Sequence, residues 1–197
     1  MSIEQTDEIR KFWSWFASVS GELARNFQNR QLLDLLDAQL RRLGPVRWEF
    51  GDGTFAISPD GDASLLPSTQ RIVALAPQLE GWEFLAARSA KEAPPTFTFN
   101  IDGKKQVVDP SSWRYVLTRV GKQSFDIQLE QVGLPELSEE DRHAAAVAVL
   151  DALLGEEKRL AFIRSIEPMS TLSGNRASVL SKLSAHLDSL CRPVALA

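Results

Sequence analysis

At Gly44-Pro45 the apolar periodicity of this chain changes from helical to strand-like, and that switch constrains the fold more than any other feature. Before it, Leu32, Leu33, Leu36, Leu40 and Leu43 recur at helical spacing, which predicts a helix over 29–43. Glycine accepts the left-handed cap, and proline cannot continue the helical ladder. After it, Val46, Trp48 and Phe50 alternate with Arg47 and Glu49, the period of a half-buried strand. Gly51-Asp52-Gly53 then supplies a tight turn, and Thr54–Ser58 reads as the returning strand of a hairpin. A chain that uses both periods in adjoining blocks is an α+β chain.

The same reading extends in both directions. A first helix is expected over 7–19, with Phe12, Trp15, Phe16 and Val19 on one face and Trp13 to one side. Ser58-Pro59-Asp60-Gly61-Asp62 is a second turn, followed by a helix over 68–79 that Pro77 threatens to shorten. Trp82, Phe84 and Ala86 alternate as a strand, Lys91 to Pro95 is a loop, and Phe97, Phe99 and Ile101 continue the alternation to Asp102-Gly103. A short stretch over 106–109 precedes strands over 113–120 and 125–132, which form a second hairpin around Gly121-Lys122. Gly133, Pro135 and Ser138 lead into an alanine-rich helix over 139–154, with Ser138 and Asp141 spaced as a capping box. Residues 160–166 fit a strand or a helix equally, and a last helix is expected over 176–190. Together these predict one α+β domain over 1–197: helical to 44, sheet-rich over 45–133, helical from 134. Its expected sheet is mostly antiparallel, of five to seven strands, with helices mainly on one face.

Composition narrows the function classes. Of the 197 residues, 44% are hydrophobic and 24% charged, the balance of an ordinary globular chain. A net charge of −4, with no Lys/Arg run longer than a pair, argues against a nucleic-acid partner, because phosphate calls for a cationic surface. The single Cys191 forbids an intrachain disulfide and fits a reducing compartment. The acidic, polar start and the lack of a long apolar run predict a cytoplasmic protein without a membrane span.

Motifs for particular chemistries are absent. His143 and His186 have no second ligand at helical spacing, so no metal is expected. Asp52, Asp60 and Asp62 sit in glycine-bearing turns, where aspartate ordinarily bonds nearby backbone N–H groups, and the spacing is not that of an EF-hand. There is no nucleophile elbow, phosphate-binding loop or dinucleotide fingerprint, and no cofactor is expected.

The tryptophans on strand positions, Trp48 and Trp82, and Trp15 on the first helix are expected in the core, whereas Trp13 is expected nearest the surface. With Trp48, Phe50, Trp82, Phe84, Phe97 and Phe99 inward, the opposite face presents Arg47, Glu49, Glu83, Arg114, Asp126, Gln128 and Glu130. That face reads as a recognition surface for another protein or as a solvated face, and the pattern alone does not choose. Arg47 and Glu49 on it, with Asp60, Arg88 and Arg114 as convergent polar groups of a cleft, are the candidate binding residues.

Several segments resemble a bacterial family of uncharacterised α+β proteins, some encoded near polymorphic toxins. The resemblance rests on Phe12-Trp13-Ser14-Trp15-Phe16, on Ile57-Ser58-Pro59-Asp60-Gly61, on the run from Ala76 through Gly81-Trp82-Glu83-Phe84, and on Leu154-Gly155-Glu156 with 163–167. These are aromatic, turn and packing residues. The resemblance implies an α+β domain in an immunity-like or accessory role, with no catalytic residues to assign. The expectation is therefore a non-enzymatic protein-binding domain. An enzyme or small-ligand binder with a cleft between helices and sheet is the alternative, and a structural homodimer formed by exposed apolar residues is a third.

Overall fold

The computed structural model describes residues 3–51, 53–91, 96–101, 104–134, 137–172 and 176–191. The expected turns at Asp52 and Asp102-Gly103, the loop through Pro95, and Pro135 lie outside the described residues, as do the side chains of Phe97 and Phe99. The chain divides into two compact units, Met1–Arg88 and Ser89–Ala197, and the division falls inside the segment read as sheet-rich.

In the first unit, α1 (Ile3–Arg25) and α2 (Arg30–Leu43) precede a hairpin of β1 (Arg47–Gly51) and β2 (Thr54–Ser58). Asn29 caps α2, its side chain accepting from the Leu32 N–H at 3.3 Å. Helix α3 (Leu66–Ala74) then leads to β3 (Glu83–Leu85). It ends before the expected residue 79, because Pro77 disfavours the helical region for Ala76. The hairpin is antiparallel, with Trp48 opposite Ile57 and Phe50 opposite Phe55, whereas β3 lies parallel to β2. Phe55 and Ile57 pack with Ile9, Phe12, Phe16, Leu36, Leu40 and Ile72, so all three helices contribute to the core on one face of this sheet.

Trp13 is buried, at 2% exposure, and not the surface residue its offset predicts. Its indole N–H donates to the Ile72 carbonyl of α3 at 2.7 Å, and its ring meets Phe84 edge-on at 4.6 Å. Helix α1 buries Ile9, Phe12, Trp13 and Phe16 together, a wider stripe than a helix with one neighbour needs. Trp15, Trp48 and Trp82, all expected in the core, are half-buried and pack against it.

The second unit opens with a separate antiparallel hairpin, β4 (Phe97–Ile101) and β5 (Lys104–Val108). Strands β6 (Arg114–Arg119) and β7 (Phe125–Glu130) follow, then α4 (Glu139–Leu154), α5 (Glu156–Phe162), β8 (Ile163–Met169), β9 (Ser178–Val179) and α6 (Leu183–Cys191). Their sheet runs β8-β7-β6-β9, parallel between β7 and β8 and antiparallel elsewhere. Residues 160–166 turn out to be both candidates in succession, α5 ending at Phe162 and β8 starting at Ile163. The expected helix over 176–190 is shortened from its start, because Ser178 and Val179 pair with Tyr115 and Arg114 as a short strand. Tyr115, Phe125, Ile127 and Leu129 pack on Ala145, Ala146, Val149 and Leu150 of α4 and on Leu183 and Leu187 of α6.

The molecule is thus mixed α and β, but the single, mostly antiparallel sheet is corrected, among the described residues, to a three-stranded sheet, a four-stranded sheet and a separate hairpin. The two larger sheets are mixed for one physical reason. In each, helices intervene between two neighbouring strands, and such a crossover returns the chain parallel.

Candidate functional site

Four of the five expected binding residues come together on the face of the first sheet opposite its helices. Arg47 and Glu49 alternate along β1 with Trp48 and Phe50, which are half-buried against the core, so both leave the sheet on the other side and are exposed. The turn after β2 adds Asp60, and Arg88 follows β3. Arg88 links two carboxylates, its Nε 3.4 Å from Glu49 and its Nη2 3.3 Å from Asp60, while Arg47 Nε lies 3.3 Å from the other Asp60 oxygen.

Backbone geometry aims the central carboxylate. Asp60 has φ +52°, a left-handed conformation that aspartate tolerates better than most residues. The turn is closed by the Ser58 hydroxyl, which accepts from the Asp60 N–H at 2.9 Å, and by the Asp62 N–H, which donates to the Pro59 carbonyl at 3.1 Å. Asp62 is used differently: hydrogen bonds from the Ser64 hydroxyl and from the Ser64 N–H hold its carboxyl below the ordinary carboxylate value. The network is a patch of both charge signs, two arginines interleaved with two carboxylates.

Arg114 belongs to the second unit and is not part of this network. Its guanidinium binds Glu130 across β6 and β7 in a forked pair, with Nε at 2.6 Å and Nη2 at 3.2 Å. Glu130 is 5% exposed and also accepts from the Leu172 N–H at 3.1 Å. Arg114 and this backbone donor hold the Glu130 carboxyl below its ordinary range, against the opposing effect of burial. The same sheet face shows two more cross-strand pairs, Arg164 with Asp126 at 2.7 Å and Gln128 with Glu167 at 2.8 Å. Alternation therefore identified the residues that turn from the helices in both sheets, though Glu130 is buried there and the face expected to be continuous belongs to two sheets in two units.

Three features of the second unit left no readable pattern in the sequence. Glu139, Arg142, His143, Ile166, Glu167 and Pro168 line a half-open hollow of about 500 Å³ between the first turn of α4 and β8. Arg142 is held there by Gln131, whose carbonyl oxygen accepts from Arg142 Nε at 3.1 Å and whose amide donates to the Arg142 carbonyl at 2.7 Å. Elsewhere in this unit Arg159 of α5 pairs with Asp151 of α4, both buried. Their approach depends on the reversal at Gly155, with φ +78°, which no helical periodicity encodes. The His186 Nδ1 and the Tyr115 hydroxyl share a hydrogen bond of 2.9 Å, and burial pushes the Tyr115 phenol up. Among the described residues no group of three or more His, Cys, Asp or Glu is placed to hold a metal, and no helix is long and apolar enough to cross a membrane.

No protein-family model, curated protein or solved structure matches this chain.

Proposed function

We propose that this protein is a non-enzymatic recognition domain that binds another protein through the open face of its first sheet, at Arg47, Glu49, Asp60 and Arg88. The observation behind this reading is the exposed ion-pair network. Its side chains are 32–61% exposed, it alternates charge along one surface, and it stands on a rigid aromatic core. Exposed pairs of this kind contribute little to folding, so their arrangement is available for selecting a partner by complementary charge. The overall charge of −4 favours a basic partner, and inhibition of a basic toxin in an immunity-like role is the specific form of the proposal.

Site-directed photocrosslinking in the native host tests it. A crosslinker at Glu49 is expected to capture one dominant protein other than a second copy of this chain, and Arg88→Glu is expected to abolish that product. A crosslinker at exposed Leu35 on α2 serves as the control. Equal products from both positions, or products indifferent to Arg88→Glu, would sink the reading.

The hollow beside α4 favours a second reading, a small-ligand site. Its volume of about 500 Å³ falls in the range typical of ligand pockets, and Arg142 and His143 lie opposite Glu167 there. Asp60, Arg88 and Arg114 are not among its lining residues. Chemical-shift changes at Arg142, His143 and Glu167 on screening small carboxylates and amines would support it. A screen that moves none of their resonances would remove it.

A further inference from the structure

We propose that β1 is a homodimerisation edge, where a second copy of this chain adds its own β1 antiparallel and joins the two three-stranded sheets into one. This inference stands apart from the recognition reading and needs no third molecule.

Main-chain geometry shows what β1 offers. Among the described residues β1 is an edge strand, with β2 as its partner on one side. The Glu83 N–H donates to the Gly53 carbonyl at 2.8 Å, so that carbonyl turns toward β3. Along a strand successive residues turn their N–H and C=O to opposite sides. Thr54, Ala56 and Ser58 therefore turn toward β1, where they face Gly51, Glu49 and Arg47. By the same alternation Trp48 and Phe50 direct their N–H and C=O outward, away from β2. An outward row of donors and acceptors is a template for another strand. Natural edges are often guarded by bulges or prolines, as in β8, where the register shifts near Asp126 and Pro168 interrupts the donors. Strand β1, Arg-Trp-Glu-Phe-Gly, has neither.

The side chains select a second copy and its register. Odd shifts would set core-facing residues against open-face residues, so only even registers keep both faces consistent. One of these places Trp48 opposite the partner's Trp48, Arg47 opposite the partner's Glu49, and Glu49 opposite the partner's Arg47. A shift by two residues one way sets Arg47 against the partner's Arg47; the other way sets Glu49 against the partner's Glu49. Opposite charges directly across a strand pair stabilise it and like charges oppose it, so one register is favoured twice over. In that register Val46 meets the partner's Phe50 on the core face. Phe27, 46% exposed with its ring 5.2 Å from that of Phe50, supplies further apolar surface beside the joint.

Sedimentation equilibrium of the full chain, with charge-altered variants, tests the proposal. The wild type is expected at twice the 21.9 kDa chain mass, and Arg47→Glu and Glu49→Arg are each expected at 21.9 kDa. An equimolar mixture of the two variants should return to the dimer mass, because each position then faces its opposite charge. A wild type that stays at the chain mass, single variants that still dimerise, or a mixture that stays monomeric would each overturn the proposal. A second measurement fixes the register. In a Cys191→Ser background, Arg47→Cys mixed with Glu49→Cys should form a disulfide-linked heterodimer, since pairs of this type bring Cα atoms to about 4.5 Å, within disulfide range. Glu49→Cys alone should not crosslink, and rapid crosslinking of that variant by itself overturns the register. No outside partner is present in either measurement, so failure here leaves the recognition reading intact.

Discussion

At the scale of single residues, two carboxylates show how burial changes the role of an ion pair. Asp60 is half-exposed within its network, where an ion pair contributes little to stability. Asp151 lies beside Arg159 with both largely out of water, and removing one partner strands the other charge. Asp151→Ala is therefore expected to lower the unfolding free energy by about 3–5 kcal/mol in urea titrations. A loss well under 1 kcal/mol would mean that Arg159 finds another partner. Glu130 makes a pH prediction with a definite sign. Its folded pKa lies below the ordinary value of 4.5, so its contribution is present above that value and is lost as pH falls through the folded one. Wild-type stability should fall on acidification below about pH 4.5, and Glu130→Gln should flatten that part of the profile, measured by denaturant unfolding across the acidic range.

At the scale of elements, helical and strand periods were legible wherever one face of an element is buried and the other wet. The α2 stripe and the β1–β2 hairpin followed from that pattern. Trp13 did not, because its burial depends on α3 packing across α1, a neighbour that α1's own period cannot reveal. Trp13→Phe keeps a ring but removes the donor to the Ile72 carbonyl and leaves a small void. It should cost about 1–3 kcal/mol in thermal or chemical unfolding. A neutral substitution would show that the indole N–H does not tie α1 to α3. Candidate site residues were legible to the same degree. Arg47 and Glu49 were readable from alternation, but their union with Asp60 and Arg88 depends on a turn and a parallel strand brought from later in the chain.

At the scale of the whole molecule, each larger sheet is built the same way: a hairpin, a helical crossover, and a strand laid parallel to the second strand of the hairpin. No repeat is evident in the sequence, since this topology constrains which positions are apolar but not which residues fill them. Net charge acts at this scale too. If a basic partner is steered by the charge of −4, its association rate should fall steeply as salt rises past about 0.1 M, where the Debye length is about 10 Å. Stopped-flow measurements with an identified partner would check this, and a salt-independent rate would remove steering from the account.

The sequence by itself determined the class of the chain, most of its helices, both readable hairpins and which side of β1, β6 and β7 turns from the helices. Those properties depend on neighbours a few residues away and on the wet or dry character of a face. Tertiary structure alone decided that the strands divide among separate sheets and that β3 and β8 run parallel. It also decided that Trp13 is buried and that Asp60 and Arg88 meet Arg47 and Glu49. Each of these depends on which distant segments pack together, and an apolar pattern records that a surface must be covered without recording what covers it.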